Sequence, residues 1–253
     1  MSEERGPWRR YVALGDSFTE GLSDPVGGDD DPAAVAAGPF RGWADRLAEL
    51  LDDAQRAAGA PPLEYANLAV RGRLQRQILG EQLPAALALE PDLVSLSAGG
   101  NDLLRPSTDA RAVAARTEEA VAALRAAGCD VLLVTGADPQ AAPVLRLTRA
   151  RVADHNQRLW ALAQRHGARV VDLWGLEPLQ DPRMWAADRL HLSSEGHRRV
   201  ARLAAATLLG TDADDREWER PLPPARRSRA AAAREDAAWA RTHLAPWVRR
   251  RLQ

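Results

Sequence analysis

Five short apolar runs punctuate the chain, at residues 10–14, 64–69, 92–97, 130–135 and 168–173. Most are rich in valine and leucine and lack the alternation of a half-exposed strand. Such runs predict strands buried on both faces, as in a parallel sheet. The segments between them carry helical spacing. Phe40, Trp43, Ala44, Leu47, Leu50 and Leu51 step by three and four, as do Val113, Thr117, Ala120, Val121 and Leu124. Leu145, Thr148, Val152, His155, Leu159 and Leu162 repeat the pattern. Strand alternating with helix predicts right-handed βαβ units, hence a three-layer α/β/α domain ending near Leu209.

Two segments break this rhythm. Residues 23–39 hold Gly27, Gly28, Asp29, Asp30, Asp31, Pro32 and Pro39 and read as a long solvated loop. The aspartates do not have the spacing of a calcium-binding EF-hand. Residues 211–253 follow the last core helix with a proline joint, Pro221-Leu222-Pro223-Pro224, then an alanine- and arginine-rich helical stretch over 225–244. Trp218, Trp239 and Trp247 make this segment richer in aromatics than disordered tails are. The expected organisation is therefore a domain at 1–210 and an extension at 211–253 docked on it, in preference to a free basic tail.

Composition narrows the function classes. The 253 residues carry 34 basic and 35 acidic side chains, a formal net charge of -1, which argues against a surface built for nucleic acid. Every basic residue is arginine, so no mechanism can use a Schiff-base lysine. The single cysteine, Cys129, excludes an intramolecular disulfide and a cysteine zinc cluster, and reads as a small buried thiol. The first ten residues are charged, and no run approaches the roughly 20 apolar residues of a membrane span. The expectation is a soluble, cytoplasmic protein without a transmembrane segment.

Candidate chemistry clusters where the strands end. The first run stops at Gly15-Asp16-Ser17, which puts a hydroxyl where open α/β sheets bind ligands. A serine there is also a common helix N-cap. The second run leads through Asn67-Leu68-Ala69-Val70-Arg71 to Gly72, a turn glycine or a bare backbone N–H at a helix start. The third ends in Ser97-Ala98-Gly99-Gly100-Asn101-Asp102. Asn101 supplies two N–H donors or an Asx-turn, and Asp102 is a candidate cap for the following helix. Beyond the fifth run, Asp188 and His191 lie three apart, so the carboxylate can fix the imidazole tautomer. Ser193 reads as an N-cap, and His155, His166, His197 and His243 read as packing or surface residues. Trp174, Met184 and Trp185 read equally as a pocket wall or as core. Taken together, a serine, an aspartate-oriented histidine and donors for an oxyanion are the parts of acyl transfer.

Over about Tyr11 to Leu209 the chain also resembles the SGNH hydrolases, the GDSL esterase/lipase family. The resemblance rests on Tyr11-Val12-Ala13-Leu14-Gly15-Asp16-Ser17, on Asn67 through Gly72, on Gly99-Gly100-Asn101-Asp102, and on Asp188 through His191. It implies a flavodoxin-like five-stranded parallel sheet in order 2-1-3-4-5. It implies Ser17 as nucleophile, His191 as base and Asp188 as its orienting acid, with an oxyanion hole from the Ser17 and Gly72 N–H groups and the Asn101 amide. No metal or organic cofactor is implied. The substrate class is a small-molecule carboxylic ester of a small or medium acyl group, cleaved through an acyl-serine intermediate. A lysophospholipase or thioesterase is the alternative enzyme, and a non-catalytic binding module the alternative of another class.

Overall fold

The computed structural model describes residues 8–26, 39–142, 144–210, 216–224, 234 and 236–244. Strands β1 (Arg10–Leu14), β2 (Glu64–Asn67), β3 (Leu93–Leu96), β4 (Asp130–Val134) and β5 (Arg169–Val171) form one sheet in the order β2-β1-β3-β4-β5. All four pairings are parallel. Every residue of β3 and β4 is buried, which is why those runs carry no polar alternation. The edge strand β2 is the exception and stays partly exposed. Most strands end before their apolar runs do. Thr135 shows why: its Oγ1 accepts the Leu173 N–H at 2.8 Å, so both chains are already turning off the ladder.

Alternate strand residues divide the core in two. Tyr11, Ala13, Leu93, Leu132, Val134 and Val171 pack against helices α2 (Trp43–Ala57) and α7 (Ser194–Leu209). Val12, Leu14, Val94, Leu96, Val131, Leu133 and Val170 face the other way, toward α5 (Ala110–Ala126) and α6 (Arg149–His166). Shorter helices include α1 (Ser17–Glu20), α3 (Leu83–Ala88) and α4 (Gly100–Leu103). This is the expected three-layer α/β/α arrangement with the 2-1-3-4-5 order.

Several expectations needed correction in detail. Gly72 does not open a helix. It sits in the turn after β2, and helical structure begins at Gln75–Gln77, passes through a π turn at Ile78–Gln82 and continues as α3. The π turn carries Gln82, whose side-chain amide pairs with both the N–H and the C=O of Gly15, each at 2.9 Å. Asp102 does not cap the helix after it. It lies inside α4, and its carboxylate accepts the Gln75 N–H at 2.8 Å. Met184 is fully buried in the α2/α7 core, and Trp185 packs on that cluster while donating to the Leu179 carbonyl, so both belong to the core.

Cys129 is buried and free. In the extension, Trp218 is buried against the α2/α7 cluster, and Arg199 of α7 donates to the Trp218 and Arg220 carbonyls. Residues 236–239 are helical and Ala240–Leu244 form a π turn. The expectations for the loop at 27–38, for the helix over 225–233 and for Trp247 lie outside the described residues. Among the described residues no helix is long and apolar enough to cross a membrane.

Candidate active site

Ser17 reaches the carboxyl edge of the sheet because β1 ends at Leu14 and the chain passes through Gly15-Asp16 directly into α1. Gly15 is required by close approach: a Cβ there would lie 2.3 Å from Thr19 Oγ1. Asp16, and not Ser17, is the N-cap; its Oδ1 accepts the Phe18 N–H at 3.1 Å. Ser17 is thereby the first helical residue, its backbone N–H has no intrahelical acceptor, and its hydroxyl is free for other work.

The partner of that hydroxyl comes from the far end of the domain. His191 Nε2 lies 2.9 Å from Ser17 Oγ, and His191 Nδ1 lies 2.6 Å from Asp188 Oδ2. Asp188 Oδ1 accepts the Leu190 and His191 N–H groups at 2.9 and 3.0 Å. Burial works to raise the Asp188 carboxyl, but the hydrogen bond and charge of His191 and the two N–H donors outweigh it and hold the group at about 2. An ionised Asp188 keeps the proton on Nδ1, so the Nε2 lone pair faces the serine hydroxyl. The segment is a closed loop. The Ala186 N–H donates to the His191 carbonyl, Trp185 bridges Leu192, and the Ser193 N–H donates to the Met184 carbonyl. Ser193 then caps α7 through the Gly196 N–H.

Asn101, at the start of α4 after β3, uses both amide hydrogens. It donates to Asp16 Oδ2 and to the Arg73 carbonyl, each at 3.0 Å. Arg73 closes the turn that holds Gly72, its N–H donating to the Val70 carbonyl, while the Val70 N–H donates to Gly15. Gly72 has φ +76°, a left-handed conformation that glycine adopts without penalty. Asn101 thus joins the ends of β1 and β2. Among the described residues no hydrogen bond joins Ser17 to Gly72 or Asn101. Asp16 carried no assignment in the sequence reading; burial drives its carboxyl up to about 6. The signal for it was present, since a capping aspartate directly precedes Ser17.

Among the described residues, no other histidine enters this chain of bonds. His197 is fully buried; its Nδ1 accepts the Trp43 N–H at 3.2 Å, and burial lowers it to about 4. His155 is buried in α6 and is also lowered to about 4, chiefly by burial. His166 pairs with Glu118 on the surface side of α6. The side chain of His243 lies outside the described residues. Trp174 sits at the carboxyl end of β5 with the Arg149 guanidinium 5.1 Å from its ring centre.

A recess of about 450 Å³ opens beside the turn at Gly72, lined by Glu20, Pro39, Phe40, Asp45, Asn67, Ala69 and Arg71. It is largely polar. Glu20 accepts from Arg71 Nε and Nη2, one edge of the guanidinium, and Arg71 lies over the Phe40 ring at 4.8 Å.

The model of the GDSL-like lipase/acylhydrolase family matches residues 13–199, a span that contains all of these groups. Solved structures are similar in fold. The crystal structure of TesA is 22% identical, with a TM-score of 0.58, covering 79% of this chain and 97% of that one. LAE5, an alpha/beta hydrolase enzyme from the metagenome of Lake Arreo, Spain, is 21% identical with a TM-score of 0.63, covering 81% and 98%. Axe2, an acetylxylan esterase from Geobacillus stearothermophilus, is 20% identical with a TM-score of 0.62, covering 84% and 96%. No curated protein matches the chain.

Proposed function

This chain belongs to the GDSL-like lipase/acylhydrolase family, and on that premise we propose that it is a serine esterase acting on carboxylic esters of small or medium acyl groups. The observation that carries the reading is the unbroken hydrogen-bonded series Ser17 Oγ, His191, Asp188, at 2.9 and 2.6 Å. In this mechanism His191 Nε2 takes the Ser17 proton as Oγ attacks the ester carbonyl. The new C–O bond gives a tetrahedral oxyanion, and Asp188 stabilises the imidazolium. His191 returns the proton to the departing alkoxide, leaving an acyl-serine and a free alcohol. Water, deprotonated by His191, attacks the acyl carbon, and the acid and free Ser17 are released.

The oxyanion takes donors from the Ser17 N–H, the Gly72 N–H and the Asn101 amide. Asn101 enters by sharing a hydrogen now given to Asp16 or Arg73. The polar recess beside Gly72 favours a hydroxylated alcohol group over a second hydrocarbon chain. A buried, unpaired Cys129 fits action in a reducing compartment such as the cytoplasm. The same proposal takes 1–210 as the hydrolase unit and 211–253 as an extension docked on it, supported by the bonds from Arg199 to the Trp218 and Arg220 carbonyls.

The test is hydrolysis of p-nitrophenyl esters of increasing chain length, with labelling by a serine-directed fluorophosphonate. Wild-type protein is expected to favour short chains and to label at Ser17, and Ser17→Ala to lose both. Label elsewhere, or full activity in Ser17→Ala, refutes the assignment. A maximum at long-chain lysophospholipids or thioesters replaces the substrate class and keeps the mechanism.

A further inference from the structure

Asp188 is gripped from outside the hydrolase fold. The indole Nε1–H of Trp239, in the extension, donates to the Asp188 backbone carbonyl at 2.9 Å. The next residue, Arg189, has φ +58°, a left-handed backbone that is strained for a non-glycine residue. It persists only where the surroundings hold it. Inside the loop the Arg189 N–H donates to the Ala186 carbonyl at 2.9 Å, and from outside the extension holds the Arg189 side chain. The Arg189 guanidinium lies 5.0 Å from the centre of the Trp239 ring and 2.7 Å from Asp236 Oδ1. The strained residue is the one between the carboxylate and the next two N–H groups that bond it, so the turn presenting Asp188 to His191 is closed from both sides. Arg183, at the other end of the same loop, donates to the Pro223 carbonyl at 2.9 Å.

We infer that Trp239 is a positioning residue: its N–H fixes the Asp188–Arg189 peptide, and through it the angle at which the Asp188 carboxylate meets His191 Nδ1. The inference rests on the serine-esterase reading above. It gives the extension a part in turnover that a merely stabilising strap lacks, because the group it holds belongs to the acid of the relay.

The decisive variant is Trp239→Phe in the full-length chain, which keeps a ring under Arg189 and removes only the N–H. Loss of one such bond is expected to lower kcat on a short p-nitrophenyl ester, per fluorophosphonate-titrated site, about three- to tenfold. KM is expected to stay within about twofold. In an Asp188→Asn background the same change is expected to have almost no further effect, because the group it positions is no longer a carboxylate. Asp236→Asn, at an exposed side chain, frees Arg189 without threatening the fold and is expected to lower kcat in the same direction. Unchanged kcat per titrated site in both variants overturns the inference while leaving the esterase reading intact. So does an equal loss with and without the Asp188 carboxylate, which would mark a purely structural role. Wild-type protein that neither hydrolyses esters nor labels at Ser17 overturns both.

Discussion

Asn101 Nδ2 lies 3.0 Å from Asp16 Oδ2, and its second hydrogen reaches the Arg73 carbonyl at the same distance. One amide therefore joins the end of β1 to the turn after β2. Asn101→Ala is expected to lower kcat by about 10²–10³, the usual loss for an oxyanion donor. KM should change much less. A fall in KM-dependent binding alone, with kcat intact, would reduce Asn101 to a structural tie.

The two partners of the hydroxyl should not be equal. His191→Ala removes the proposed base, whereas Asp188→Asn leaves an imidazole that the backbone still holds. In a comparable serine relay the losses in kcat are roughly 10⁶ and 10⁴. The same ranking is expected here, measured on one short ester with Ser17→Ala as baseline. Activity of His191→Ala above that of Asp188→Asn would reverse the roles.

Acid should loosen the fold through its two buried histidines. His197 and His155 are buried with their values lowered to about 4, so the unfolded chain binds their protons more readily than the folded one. The stability they confer is complete above about pH 6.5 and falls by about 1.4 kcal/mol per pH unit for each histidine down to about pH 4. Asp16, raised to about 6, acts oppositely: its protonation favours the fold as pH drops through 6. Asp45, also raised by burial, acts as Asp16 does, but the two histidines outweigh the aspartates, and the melting temperature is expected to fall between pH 7 and 5. His197→Gln, which keeps an acceptor for the Trp43 N–H, is expected to flatten that slope. An unchanged slope would free His197 of the effect.

Met184 tests whether the 182–185 segment is core or pocket. Its side chain is fully exposed to neighbours of the α2/α7 cluster and not at all to solvent. Met184→Ala is expected to cost about 2–5 kcal/mol of stability. Preference among acyl chain lengths should not move. A shifted chain-length profile at unchanged stability would return Met184 to the pocket wall.

Removing the extension after Gly210 exposes Trp218's site and strips the carbonyl partners from Arg199, itself only 7% exposed. Arg199 Nη1 then loses both of its acceptors, while Nε keeps Glu195 at 2.7 Å, and each lost bond costs stability. The truncated protein is expected to melt lower and to aggregate, with little dependence on salt. Unchanged melting, with salt-sensitive binding to anionic vesicles lost, would make the extension a free basic tail.

The fold was legible in the sequence because its signals are local. Strands buried on both faces must be continuously apolar, and helices covering them must repeat at three and four, so β1, β3 and β4 and the helices α2, α5 and α6 each announce themselves within one short window. The clustering of Ser17, Asn101 and the pair Asp188 and His191 was legible for a related reason: in a parallel sheet every strand's carboxyl end points to the same edge, so chemistry following several strands must converge there. What sequence could not fix were contacts between windows. Ser17 and His191 are 174 residues apart, and the tertiary packing sets their 2.9 Å separation. Asp102 serves a helix that precedes it by 27 residues, and a capping aspartate looks the same whichever N–H it takes. Met184 and Trp174 carry the same apolar signal, yet the first lies in the core and the second at the rim. A hydrophobic side chain states that it prefers to leave water, and only the tertiary structure decides which neighbours cover it.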